Sequence, residues 1–218
     1  MFKSRSFVRP LFALVVLGAL PSLGMATSSP SFTHLNFTVL KNGDPIGHHD
    51  ISVERNGDAE TVSIKTNILV KVAFVPVYRF EHTGQEVWQN GHLVSLISQT
   101  NDDGDKHKLS VAAKVDHLDV DGDGQSSQAE AAIIPASLWN VDIVKQSVLL
   151  NTLTGKQMHV SVADLGDESV QSHGAAVKVH HFKVTGDLQR DLWYDQSNTL
   201  VQVKFKAKDD SDILYVLS

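Results

Sequence analysis

The chain has 218 residues, with 19 Lys+Arg against 25 Asp+Glu, 11 His and no cysteine. The absence of cysteine excludes disulfides and thiol chemistry, so a core must hold the fold. Residues 1–26 have the form of a cleaved secretory signal: Lys3, Arg5 and Arg9, an apolar run Leu11–Leu20, then Gly24-Met25-Ala26. Without those three basic residues the remaining chain carries a net charge of −9, which argues against nucleic acid or anionic lipid as the general partner. The apolar run is too short to span a bilayer and no later segment is long enough, so the expectation is a periplasmic protein without a transmembrane segment.

Strand signals then recur along 27–218, which reads as a single domain. Phe32–Leu40, Ile46–Arg55, Glu60–Phe74, a strand from Tyr78, His92–Thr100 and Lys108–Asp116 each alternate apolar and polar residues. Asn42-Gly43, Asn56-Gly57 and Asn90-Gly91 mark tight hairpins, because both central residues of a type I′ turn take positive φ. The stretch 119–128 reads as a polar loop. The period changes over 128–147, which predicts one short helical segment. Strands resume at Gln157–Ala163, Ala175–Val184, Asp191–Asp195, Leu200–Ala207 and Ile213–Leu217.

The resulting expectation is a mainly β fold: an antiparallel curved half-barrel or barrel of about 11–12 strands. The helical segment would lie over one end.

Several phrases carry a resemblance. They include Lys41-Asn42-Gly43 with Ile46-Gly47, Tyr78-Arg79-Phe80-Glu81-His82 with Glu86 and Trp88, Pro135-x-Ser137-x-Trp139-Asn140, and Arg190-Asp191-Leu192-Trp193-Tyr194-Asp195. Together they resemble a bacterial family of secreted domains of unknown function. That family is similar in pattern to periplasmic lipoprotein-carrier-like half-barrels. The resemblance implies a periplasmic β half-barrel and supplies no activity. The acidic 119–130 stretch departs from it.

Two constellations stand out. Alternation places His49 on the inner face of one strand and Tyr78, Phe80, His82, Glu86 and Trp88 on that of another. Buried charges need partners, so these groups suit a polar network, a ligand site, metal ligands or an acid–base pair. With Trp139, Trp193, Tyr194 and Tyr215 they form the candidate lining of a cavity, Arg190 or Asp195 lying at its rim. The second is DVDGDGQSSQAE, which fits the calcium-loop template through Asp119, Asp121, Asp123, Gln125 and Glu130. Its eighth position, Ser126, lacks the usual aliphatic anchor and no second loop pairs with it, so weak calcium binding is the most it implies.

There is no nucleotide-phosphate loop, no nucleophile elbow and no His-Glu-x-x-His. An enzyme is therefore disfavoured, and no cofactor beyond weak calcium is implied. The sequence favours a carrier of an apolar ligand, a lipid or lipoprotein acyl chain, in the concave face of the half-barrel. An envelope interaction protein with a packed core, bound to another envelope protein, is the alternative. A metal-dependent or acid–base enzyme using His49, His82 and Glu86 is the third reading.

Overall fold

The computed structural model describes residues 29–218; the signal segment expected at 1–26 lies outside them. Fifteen strands form one sheet. The first six are β1 (Ser31–Lys41), β2 (Asp44–Asn56), β3 (Ala59–Val72), β4 (Val75–Gln89), β5 (His92–Asp102) and β6 (Asp105–Ala113). Next come β7 (His117–Gly122), β8 (Gln125–Glu130), β9 (Ile134–Pro135) and β10 (Val148–Leu150). The last five are β11 (Gln157–Ser172), β12 (Ala175–Gly186), β13 (Arg190–Asp195), β14 (Leu200–Lys206) and β15 (Asp212–Leu217).

The curved, mainly β architecture matches the expectation; the strand count exceeds it. The surplus comes from two stretches. The 119–128 loop is instead the body of a tight β7–β8 hairpin turning at Asp123-Gly124, both at positive φ. Leu118, Val120 and Ala129 supply its buried face, an alternation the surrounding acidic residues mask. The 128–147 segment is not helical as a whole. It holds β8's end, β9 and one 3-10 turn, Val141–Lys145, capped by Asn140 Oδ1 accepting from Asp142 N. The sequence Ser127-x-x-Glu130, which fits a helix start, lies within β8.

The sheet order runs β8-β7-β6-β5-β4-β3-β2-β1-β15-β14-β13-β12-β11-β10-β9. Two meanders thus meet where β1 pairs with β15. A sheet this long must roll up. Here one end tucks against the inner face of the other. Ser98 Oγ on β5 donates to Thr152 O at 2.5 Å, and Gln157 Nε2 donates to Gln128 O at 3.2 Å. The chain from 131 to 156 thereby fills the concave side. Ile133, Ile134, Trp139, Ile143, Leu149 and Leu150 are buried in the same apolar cluster as Phe37, Ile51, Trp88, Leu96 and Leu192. No helix among the described residues is long and apolar enough to cross a membrane, which says nothing of a β-barrel.

Candidate functional site

A row of polar residues crosses the inner face at one level. Strict register pairs His49 with Thr66, Thr66 with His82, and His82 with Thr100, from β2 through β5. His49 Nδ1 meets Thr66 Oγ1 at 2.7 Å and His82 Nδ1 meets Thr100 Oγ1 at 2.8 Å. Each ring therefore turns Nε2 away from its threonine. Gly84 introduces no bulge; its missing side chain leaves room for His82, whose Nε2 would lie 3.3 Å from a Cβ built there.

The row opens onto a cavity of about 130 Å³ at the end of the curved sheet where β2, β4, β13 and β15 begin. His49, Thr66, Phe80, His82, Ser137, Leu138, Arg190, Val203, Phe205 and Tyr215 are among its lining. Aromatic rings tie the far wall to the row. The Tyr215 ring lies 5.3 Å from His49 and 5.9 Å from Phe205, and the Arg190 guanidinium sits 3.7 Å over the Phe205 ring. Wider depressions, such as a groove of about 410 Å³ over Thr83, Gln85, Ile97 and Lys108, lie on the solvent face.

The electrostatics are set by burial around hydrogen-bonding side chains. Burial pushes the His49 imidazole down to about 4, helped by the nearby His82, and burial alone takes His82 down to about 4. Both rings are neutral at neutral pH. Burial pushes the Tyr215 phenol up to about 12, against the opposing pull of Arg190. The Arg190 guanidinium is held below its usual range by burial, and the neutral Tyr215 phenol rather than a carboxylate lies near it. It makes one hydrogen bond, Nη1 to Gln189 O at 2.7 Å. Among the described residues, a polar side-chain atom both sealed from solvent and unpartnered is found only at Glu86. The free faces of Arg190, Tyr215, His49 and His82 accordingly look into open space.

Glu86 lies behind this pocket, not in it. It is fully buried, and its Oε2 accepts from Trp88 Nε1 at 2.8 Å and Trp139 Nε1 at 2.9 Å. Oε1 finds no partner of good geometry, although the nearby Ser137 hydroxyl, like the two indoles, favours the charged form. Desolvation outweighs them and raises the carboxyl above its usual range. This group anchors the 131–156 segment to β4.

Of the residues singled out by sequence, the structure brings His49, Phe80, His82, Arg190 and Tyr215 together. Glu86, Trp88 and Trp139 belong to the packed core. Tyr78 lies outside the cavity, its hydroxyl on Asp102 Oδ1 at 2.7 Å. Tyr194 is buried and donates to Leu138 O at 2.7 Å, and Asp195 closes the β13–β14 turn. Trp193 faces the opposite side of β13, stacked on His181 at 4.2 Å. Thr66, Ser137, Leu138 and Phe205 were not singled out. The register argument that finds His49 would also find Thr66, whereas the others depend on how the sheet rolls.

The calcium reading does not survive the hairpin. Asp119 and Asp121 lie on the outward face of β7, while Gln125 pairs with Gly122 on the other parity. Asp119 is engaged by Lys114 and His117, and Asp123 by His107 and the Lys108 backbone N–H. No group of three or more metal-binding side chains converges among the described residues.

A family model described as a domain of unknown function, DUF6134, matches residues 37–218. Among solved structures, the crystal structure of a β-barrel-like protein of domain of unknown function DUF1849 from Brucella abortus is similar in fold. The TM-score is 0.61 over 87% of this chain and 95% of that one, at 7% identity. No curated protein matches.

Proposed function

We propose that this chain, which belongs to the DUF6134 family of domains of unknown function, is an exported binding module for a small amphipathic anion. The anionic end would sit on Arg190 and Tyr215, and a short apolar body between Ile64, Phe80, Leu138, Val203 and Phe205. The observation that carries this reading is Arg190: a largely buried cation, facing a cavity, with no carboxylate partner among the described residues. Buried charges are ordinarily paired, and an unpaired one calls for a counter-charge from a ligand.

The cavity limits the ligand. Drug-sized pockets span about 300–1,000 Å³, well above the 130 Å³ here. The apolar-carrier expectation therefore narrows to a short acyl chain, or to the head end of a longer lipid. The periplasm remains the proposed compartment, on the strength of the basic–apolar–small pattern at 1–26. Fractionation of cells carrying the full chain tests it: the shortened product should leave with the periplasmic contents.

An acid–base enzyme is less well supported. The two imidazoles are held near pKa 4, which makes them weak bases at neutral pH, and Glu86 is sealed from them.

The test is calorimetric titration of the mature protein with hexanoate, hexanol and hexylamine. Hexanoate should bind most tightly. Arg190→Gln should weaken hexanoate by roughly ten- to a hundredfold, the worth of a charge-assisted hydrogen bond, while leaving hexanol unchanged. Equal binding of hexanoate by the variant, or no preference for the anion, would end the reading.

A further inference from the structure

The β3–β4 hairpin runs past both of its neighbours. Pairing of β2 with β3 stops at Gly47–Ile68, and pairing of β4 with β5 stops at Phe80–Asp102. The β3–β4 ladder continues to Val72–Val75. Leu69–Val72 and Val75–Val77 therefore form a two-stranded ribbon reaching about 13 Å beyond the sheet, tied to the β5–β6 turn at its base through Tyr78 and Arg79. It rises from the end of the curved sheet that holds the His49–Arg190 cavity.

The apex contradicts the pattern of its own fold. Five other hairpin turns put a polar residue and then glycine at the two positive-φ positions: Asn42-Gly43, Asn90-Gly91, Asp103-Gly104, Asp123-Gly124 and His173-Gly174. Here the same positions are Ala73 at φ 47° and Phe74 at φ 71°. A bulky residue is strained in that region and glycine is not. The side chain that replaces glycine makes no compensating contact, because Phe74 is 95% exposed. Val72, Val75 and Val77 around it are each more than half exposed. A strained, solvated phenylalanine gains nothing for the folded chain by itself, so its use lies in what it meets.

We propose that this ribbon is a membrane-surface anchor, inserting Phe74 and its flanking valines into the interfacial layer of a lipid bilayer. From Val72 to Val77 no side chain is polar, so the apex offers no hydrogen-bond pattern for a protein rim to read. Lys71, with no ion-pair partner among the described residues, stands just behind the apex, where a basic side chain reaches lipid phosphate. Pro76 removes one backbone donor from the exposed edge. The acidic turn Asp102–Asp105 meets the ribbon at its base, through Tyr78 to Asp102 and Arg79 N to Asp103. That charge confines insertion to the tip and holds the rest of an acidic chain off an anionic surface. This inference does not depend on what the cavity binds.

Sedimentation with vesicles of phosphatidylcholine, with and without phosphatidylglycerol, tests it on the mature protein. The wild type should pellet with both, and no more with the anionic mixture, because the acidic turn at the base offsets Lys71. Phe74→Gly restores the turn pattern of the other hairpins. It should melt at the same temperature or higher, yet lose roughly ten- to a hundredfold in vesicle affinity, the worth of burying one phenylalanine. Phe74→Trp should keep binding, and its added fluorescence should be quenched by brominated lipid. Three results overturn the proposal: a wild type that stays in the supernatant, a Phe74→Gly protein that pellets equally, or a bound Phe74→Trp protein that brominated lipid does not quench. A Phe74→Gly protein that melts lower would assign Phe74 a packing role and overturn its premise.

Discussion

Glu86 and the two inward histidines pull the pH dependence of stability in opposite directions. His49 and His82 have folded values near 4 against 6.5 when unfolded. The unfolded chain binds more protons between those limits, so stability rises with pH from about 4 to 6.5. Glu86 is raised above 4.5 by desolvation. There the folded chain binds the extra proton, so stability falls as pH climbs past 4.5. Each group contributes up to about 1.4 kcal/mol per pH unit. Two histidines against one carboxyl leave a net rise between about pH 4 and 6.5, above which the imidazoles add nothing further. The exposed His117 and His180, raised first of all by the hydrogen bonds they donate to Asp116 and Asp164, oppose that rise only through screened surface interactions. A series of thermal melts from pH 4 to 7 should therefore show the melting temperature climbing until about pH 6.5. In Glu86→Gln the amide oxygen still accepts from both indoles and the titrating proton is gone. Its melting temperature should gain on the wild type as pH rises past 4.5; a gap that stays constant with pH would show that the carboxyl does not titrate with folding.

At the scale of elements, the legible parts were those set by local chemistry. Asn42-Gly43 and Asn90-Gly91 gave two hairpins outright, and the alternation around His49 and His82 placed both on the inner face. The stretches misread were those where local chemistry points elsewhere. Acidic residues on the outer face of β7 imitate a calcium loop, because a hairpin that faces water on one side is held by as few as three apolar residues, here Leu118, Val120 and Ala129. The 131–156 segment has no period since it is packed on several sides at once, through Trp139, Ile143, Leu149 and Leu150. Its docking is tight at Gly155, which has φ +72°. A Cβ there would lie 2.5 Å from Val120 Cγ1 and 2.7 Å from Leu109 Cδ1. Both the positive φ and the overpacking oppose a side chain, so Gly155→Ala should cost about 1–3 kcal/mol. A denaturant midpoint that is unmoved would mean the segment rests loosely in the curved sheet, and a loose segment would leave the cavity without a fixed floor.

For the whole molecule, one pairing decides whether there is one continuous curved sheet. Along each meander, neighbours in the sheet are neighbours in sequence, as hairpin signals imply. The join of β1 to β15 links residues 37–41 with 213–217, and no local signal announces a contact that distant. It also explains why Arg190, Phe205 and Tyr215 meet His49: the cavity spans the join, with Tyr215 on β15 and His49 on β2. β15 is thus shared by both halves, paired with β1 on one side and β14 on the other. Ending the chain after Asp210 would leave two open edges where the sheet was continuous, and exposed edges of this length invite aggregation. Such a protein should show no cooperative melt and should lose the near-ultraviolet signal of the packed indoles. A synthetic peptide covering 209–218 should restore both, because it can re-enter as the missing strand. A truncated chain that melts cooperatively at the wild-type temperature would mean that each meander is stable by itself, and that the cavity lies between two units instead of inside one.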